Sequence, residues 1–130
     1  MNLMIADQSD VVRKVAKRIL TGMNFEVLEA RNAAEATARC MSALPQFVIV
    51  EAAMDGALEL IQFIRSVPGN ENTRIYYCIV EADLRKMMAG RRAGANDFLM
   101  KPFDRKTLGA VFNGLAQPAG EASPRQTAAQ

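Results

Sequence analysis

Apolar residues follow two rhythms along this chain. Short runs at residues 3–6, 25–28, 47–50, 75–79 and 98–100 alternate with stretches in which apolar positions return every three or four residues. The runs predict strands, and the first, third and fourth are apolar throughout, as in strands covered on both faces. The longer rhythm predicts helices. Ser9 or Asp10 caps the first, which runs to about residue 20 with Val12, Val15, Ala16 and Ile19 on one face and Arg13, Lys14, Lys17 and Arg18 on the other; Gly22 lies just past its end. Asn32 caps a second helix over 33–41, and a third spans Ala57–Ser66 and closes at Val67-Pro68-Gly69-Asn70. A fourth spans 84–92 and stops at Gly94, and Asp104 caps a fifth with Leu108, Val111, Phe112 and Leu115 inward.

Strict alternation of strand and helix predicts a doubly wound α/β domain: a parallel sheet with right-handed crossovers. In such sheets ligands bind outside the carboxyl ends of the strands. Here those positions carry Asp7-Gln8, Glu51, Ile79-Val80-Glu81 and Lys101, so the chemistry is expected there.

Composition narrows the function classes. With 130 residues, half of them hydrophobic, the chain makes one domain with a sizeable core. Its 16 basic and 14 acidic residues leave a net charge of +2, too balanced to argue for nucleic acid, and no helix-turn-helix follows, so DNA is not an expected partner. Cys40 and Cys78 are far apart in apolar surroundings, which reads as buried free thiols in a reducing cytosol. The absence of histidine removes imidazole acid–base catalysis, imidazole metal ligation and a phosphohistidine carrier role. There is no leader pattern and no apolar stretch of the ~20 residues that span a bilayer, so the expected location is the cytoplasm without membrane insertion. Residues 117–130, rich in Pro, Gly, Ala and Gln, read as a disordered tail or linker stub behind a domain at 1–116.

The segment Ala93-Gly94-Ala95-Asn96-Asp97-Phe98-Leu99-Met100-Lys101-Pro102-Phe103-Asp104, with Leu3-Met4-Ile5-Ala6-Asp7-Gln8-Ser9 and the weaker Phe25-Glu26-Val27 followed by Glu29-Ala30, resembles the receiver domain of two-component response regulators, chemotaxis-type single-domain receivers above all. The resemblance covers about residues 2–116 and implies a flavodoxin-like (βα)5 sheet in the order 2-1-3-4-5. It also implies a pocket in which two acids after the first strand and an acceptor Asp after the third hold Mg²⁺ during phosphoryl transfer. Asp7 matches the first acid, Gln8 replaces the second, Glu51 stands at the acceptor position and Ala53 completes the set by position. Lys101 matches the site lysine, Ile79 falls where the family has a switch Thr or Ser, and Phe98 matches the switch aromatic.

The departures predict an atypical receiver. Glutamate moves the carboxylate out by about one bond, and misplacing a reacting atom by ~1 Å costs on the order of 100-fold in rate. Ile79 donates no hydrogen bond to a phosphoryl oxygen, and the Glu51–Arg65 segment is about two residues short of the family pattern. Signalling by protein–protein contact without conventional Asp phosphorylation is therefore expected, with no cofactor or only weakly bound Mg²⁺. A histidine kinase, phosphotransferase or downstream target is the expected partner, with a second copy docked through the fourth-helix, fifth-strand, fifth-helix face as another. Two alternatives stay open: a working phospho-receiver using Glu51 or Asp55, and an effector binding a cyclic dinucleotide. For the latter the candidates are Arg85, Lys86, Arg91 and Arg92 on the fourth helix, with Arg105 and Lys106 nearby; a solvated face explains the same run. Adjacent Arg91 and Arg92 are expected on different faces, and Met87 and Met88 in core and edge packing. Two readings of Glu51 also stay open: it imitates the phosphorylated state by reaching Lys101, or it fills a disused pocket.

Overall fold

The five apolar runs are five parallel strands. The computed structural model describes residues 1–113, so the expected tail at 117–130 and Leu115 lie outside the described residues. The strands β1 (Asn2–Ala6), β2 (Glu26–Ala30), β3 (Phe47–Glu51), β4 (Arg74–Ile79) and β5 (Asp97–Met100) form one sheet in the order β2-β1-β3-β4-β5, as the family resemblance implies. Crossovers run through α1 (Asp10–Gly22), α2 (Ala33–Ser42), α3 (Ala57–Ser66) and α4 (Leu84–Ala93), and α5 (Arg105–Phe112) follows the last strand. The second strand starts one residue and ends two residues later than its apolar run predicts. It is one of the two edge strands, paired along Glu26–Ala30 with β1, and its alternating exposure weakens the apolar signal.

Strands β1, β3 and β4 are buried on both faces apart from their ends. On one face Leu3, Ile5, Ile49, Tyr76 and Cys78 pack against α1 and α5, where Phe25, Phe47, Tyr76 and Phe112 meet edge to face. On the other Met4, Val48, Val50, Ile75 and Tyr77 pack against α2, α3 and Ala93 of α4. Cys40 and Cys78 are both buried and free.

The first helix is rotated relative to expectation. Arg13 is buried at 3% exposure instead of facing solvent, while Val15 stands 43% exposed. The helix buries Ala16, Ile19 and Leu20, and it turns Arg13 inward because polar partners wait there. Arg13 donates to the Asp7 carbonyl at 2.6 Å and to Glu29 at 3.0 Å, and also pairs with Asp10.

Close approach fixes one glycine. A Cβ at Gly90 of α4 would lie 2.4 Å from Cδ2 of Tyr77 in β4, a buried ring. Gly90→Ala gains about 1 kcal/mol of helix propensity but forces overpacking of about 1–3 kcal/mol. A net loss of about 1 kcal/mol is expected, seen as a lower urea midpoint at unchanged slope, and a larger loss for Gly90→Val.

Candidate functional site

The carboxyl ends of β1, β3, β4 and β5 bring Asp7, Glu51, Ile79 and Lys101 to one edge of the sheet. Asp7 follows β1, 1% exposed, and its Oδ1 accepts from the Ser9 N–H at 2.8 Å. Ser9 in turn caps α1 by accepting from Val12 N–H, so the turn that starts the helix also orients the acid. Glu51 ends β3. Its Oε1 accepts from the Gln8 backbone N–H at 3.0 Å and its Oε2 from Lys101 Nζ at 3.1 Å. Lys101 Nζ also donates to Asp7 Oδ2 at 3.0 Å. The longer side chain of glutamate therefore reaches across to the lysine and back to the β1–α1 loop together.

The charges reinforce each other. Burial raises the Glu51 pKa, but the Gln8 N–H and the Lys101 ammonium outweigh it and hold the carboxyl below its ordinary 4.5. Burial lowers that of Lys101, but Asp7 and Glu51 outweigh it and hold the ammonium above its ordinary 10.5. One ammonium thus sits between two carboxylates. Cys78, beside them, has its thiol pushed up by burial to about 12, so it stays protonated and is no nucleophile.

A small cavity of about 30 Å³ opens above the trio, room for about one water, lined by Glu51, Ala53, Ile79, Lys86 and Lys101 among others. Ile79 closes it with a methyl surface and is itself buried. Of the expected site residues, Asp7, Gln8, Glu51, Ala53, Ile79 and Lys101 are thus brought together. Phe98 is not: it lies half-buried in a separate groove under Arg91, whose guanidinium carbon is 5.2 Å from the ring centroid. Asp55 is exposed in the β3–α3 loop and makes no hydrogen bond to the trio.

The expected basic surface divides. Lys86 faces the acidic cavity, and Arg85 lines none of the cavities described for this chain. Arg91 and Arg92 line the same groove with Leu84, Met87, Met88 and Phe98, contrary to the expectation that they face apart; their long side chains converge from neighbouring positions. Arg105 belongs to neither, but to a cleft against α1. Sequence reasoning missed Arg13 as the residue that ties the Asp7 carbonyl to Glu29 on β2.

A Mg²⁺ ion wants an oxygen octahedron. Asp7 and Glu51 are the acids of the trio, each of their four oxygens accepts one hydrogen bond, and no group of three Asp, Glu, Cys or His able to hold a metal is found among the described residues, so an ion here would have to draw further oxygens from backbone, amide or water.

Comparison with known proteins places this geometry. The model of the response regulator receiver domain matches residues 3–113. The chain is 29% identical over 121 residues to the protein PetR of Rhodobacter capsulatus, covering 93% of this chain and 51% of that one, so it spans about half the length of this relative. It is 25% identical over 118 residues to the chemotaxis protein CheY of Thermotoga maritima, covering 88% of this chain and 97% of that one. The solved structure of CheY4 from Vibrio cholerae is similar at a TM-score of 0.80 and 25% identity, covering 85% of this chain and 94% of that one. No helix among the described residues is long and apolar enough to cross a membrane.

Proposed function

The chain belongs to the response regulator receiver domain family, and on that premise we propose that it is an atypical receiver. It signals through protein–protein contact without a conventional aspartyl phosphorylation cycle, and it catalyses no turnover of its own. The observation that carries this reading is the Glu51 carboxylate, held at both oxygens by Gln8 N–H and Lys101 Nζ at 3.0 and 3.1 Å where the family has its acceptor. A carboxylate so engaged is a poor nucleophile, and the neighbouring Ile79 offers no donor to a phosphoryl oxygen. Lys101 supplies one positive charge shared between the carboxylates of Asp7 and Glu51.

The partners that fit are a histidine kinase, a phosphotransferase or a downstream target. The groove between α4 and β5, with exposed Leu84 and Met88 beside Arg91 and Arg92, supports a protein contact with acidic and apolar side chains. A second copy of the chain on the same face is the alternative occupant.

Incubation with acetyl phosphate and Mg²⁺, followed by intact-mass measurement, is expected to give no phospho-adduct. The double variant Gln8→Asp/Glu51→Asp is expected to gain Mg²⁺ affinity, because it shortens the acceptor side chain and adds an oxygen ligand. A stable Mg²⁺-dependent adduct on the unmodified chain, mapped to Glu51 or Asp55, would overturn the proposal in favour of a working phospho-receiver.

A further inference from the structure

We propose that the cleft between α1 and the start of α5 binds a nucleoside phosphate. The site is separate from the Glu51 pocket and does not depend on the reading given to Glu51. The cleft measures about 400 Å³, within the roughly 300–1,000 Å³ typical of small-molecule sites. Its rim carries three cations, Lys14, Arg18 and Arg105, and its floor is formed by Val15, Ile19 and the ring of Phe103. That division of cationic rim and apolar, partly aromatic floor matches a ligand with a charged end and a flat body.

The cations are not equivalent. Lys14 already donates to Glu29 at 2.8 Å. Arg18 and Arg105 take part in no ion pair among the described residues, so their planar guanidinium groups remain open to phosphate oxygens. The one acid in the cleft, Asp104, is turned into the start of α5: its carboxylate accepts from Thr107 N–H at 2.7 Å. The cap keeps that carboxyl ionised, a repulsion that the rim's Lys14, Arg18 and Arg105 outnumber three to one. Phe103 and Ile19 are buried enough to be fixed, so the floor is preformed.

An acidic protein helix would extend into the neighbouring hollow of about 170 Å³ at Val11, Val12 and Pro102, but that hollow is lined by no charged side chain, and the cations gather in the larger cleft alone. The two occupants differ in what they touch. A nucleoside phosphate engages Arg18 and Arg105 with the floor between them, whereas a helix engages Val11 and Pro102 as well.

The test is an NMR titration of the full chain with ADP and, separately, pyrophosphate, at about 0.15 M salt so that non-specific attraction is screened. ADP is expected to shift Val15, Ile19 and Phe103 saturably with a sub-millimolar Kd, and pyrophosphate to bind on the order of tenfold more weakly because it leaves the floor uncovered. Arg18→Ala and Arg105→Ala, neither of which removes an ion pair among the described residues, are each expected to weaken ADP about tenfold at an unchanged urea midpoint. The proposal is overturned by any of four results: no saturable shifts, shifts centred on Arg91 and Arg92, equal binding of ADP and pyrophosphate, or ADP affinity unchanged in both variants. Saturation of Val11 and Pro102 by an acidic helical peptide without any response to ADP overturns it too.

Discussion

Arg65→Ala is expected to destabilise the domain by roughly 3–5 kcal/mol, one of the largest losses any single truncation here should give. The guanidinium, half-buried on α3, donates to the carbonyls of Gly94 at 2.8 Å and of Asn70 and Thr73 at 2.9 Å each, and to Asn96 Oδ1 at 2.5 Å. Asn96 Oδ1 also accepts from the Ile75 N–H at 2.7 Å, so one fork joins α3 to the start of β4 and to the turn between α4 and β5. Removing it leaves four acceptors without that donor, and each lost charge-assisted bond is worth about 1.5–3 kcal/mol before water compensates. The stem matters as well. Gly94 has φ +125°, open to glycine, and packs so closely that a Cβ there would lie 2.5 Å from Arg65 Cγ. Thermal unfolding should shift down by roughly 10–20 °C for a domain of this size. Arg65→Lys should recover only a minor part, because an ammonium cannot present two separated N–H pairs in a plane. If Arg65→Ala and Asn96→Ala prove additive, the two side chains do not act as one network.

Nothing in the local sequence marks Arg65 for this role. It reads as an ordinary basic residue at the end of a helix, and the groups it binds lie up to 31 positions away. The same limit explains Arg13. Its helical face was assigned from apolar spacing, but the acids Asp10 and Glu29 and the free carbonyl of Asp7 draw it inward and turn Val15 out. By contrast the sheet was legible. Runs such as 3–6 and 47–50 are apolar at every position only when helices cover both faces, and that fixes the layers. The strand order came from the likeness of the 93–104 segment to receivers, and periodicity alone carries no such information. The site was legible for the same topological reason: parallel strands deliver their carboxyl ends to one edge. What residue spacing could not give was where long side chains converge, as Arg91 with Arg92 and Arg105 with α1 show.

The second large effect is expected at Lys101. Lys101→Met leaves Asp7 and Glu51 facing one another without their shared cation, and breaking a buried pair on one side costs about 3–5 kcal/mol. Both carboxylates are nearly buried, so water screens them poorly. The pH dependence identifies the cause. In the unmodified chain Glu51 has a lowered pKa, so its contribution is present above 4.5 and is lost as pH falls through the folded-state value below it. Lys101 has a raised pKa, so its contribution is present below 10.5 and is lost as pH rises through the folded-state value above it. The variant behaves oppositely at acid pH, because two carboxylates without a cation raise one pKa, and protonation then relieves the repulsion. The stability difference between the two proteins should therefore be largest near neutrality and shrink below about pH 5, measured by urea unfolding across pH. A difference that stays flat from acid to neutral would mean that the trio is not electrostatically coupled. Glu51→Gln/Lys101→Met removes the repulsion with the cation and should restore more than half of the loss. That stable double variant also separates the two readings of Glu51. If the clamp is read at the surface, NMR signals of Phe98 and Arg91, which lie outside the cavity, will move along with Ile79. If Glu51 only fills space, the changes will stop at the residues lining the cavity.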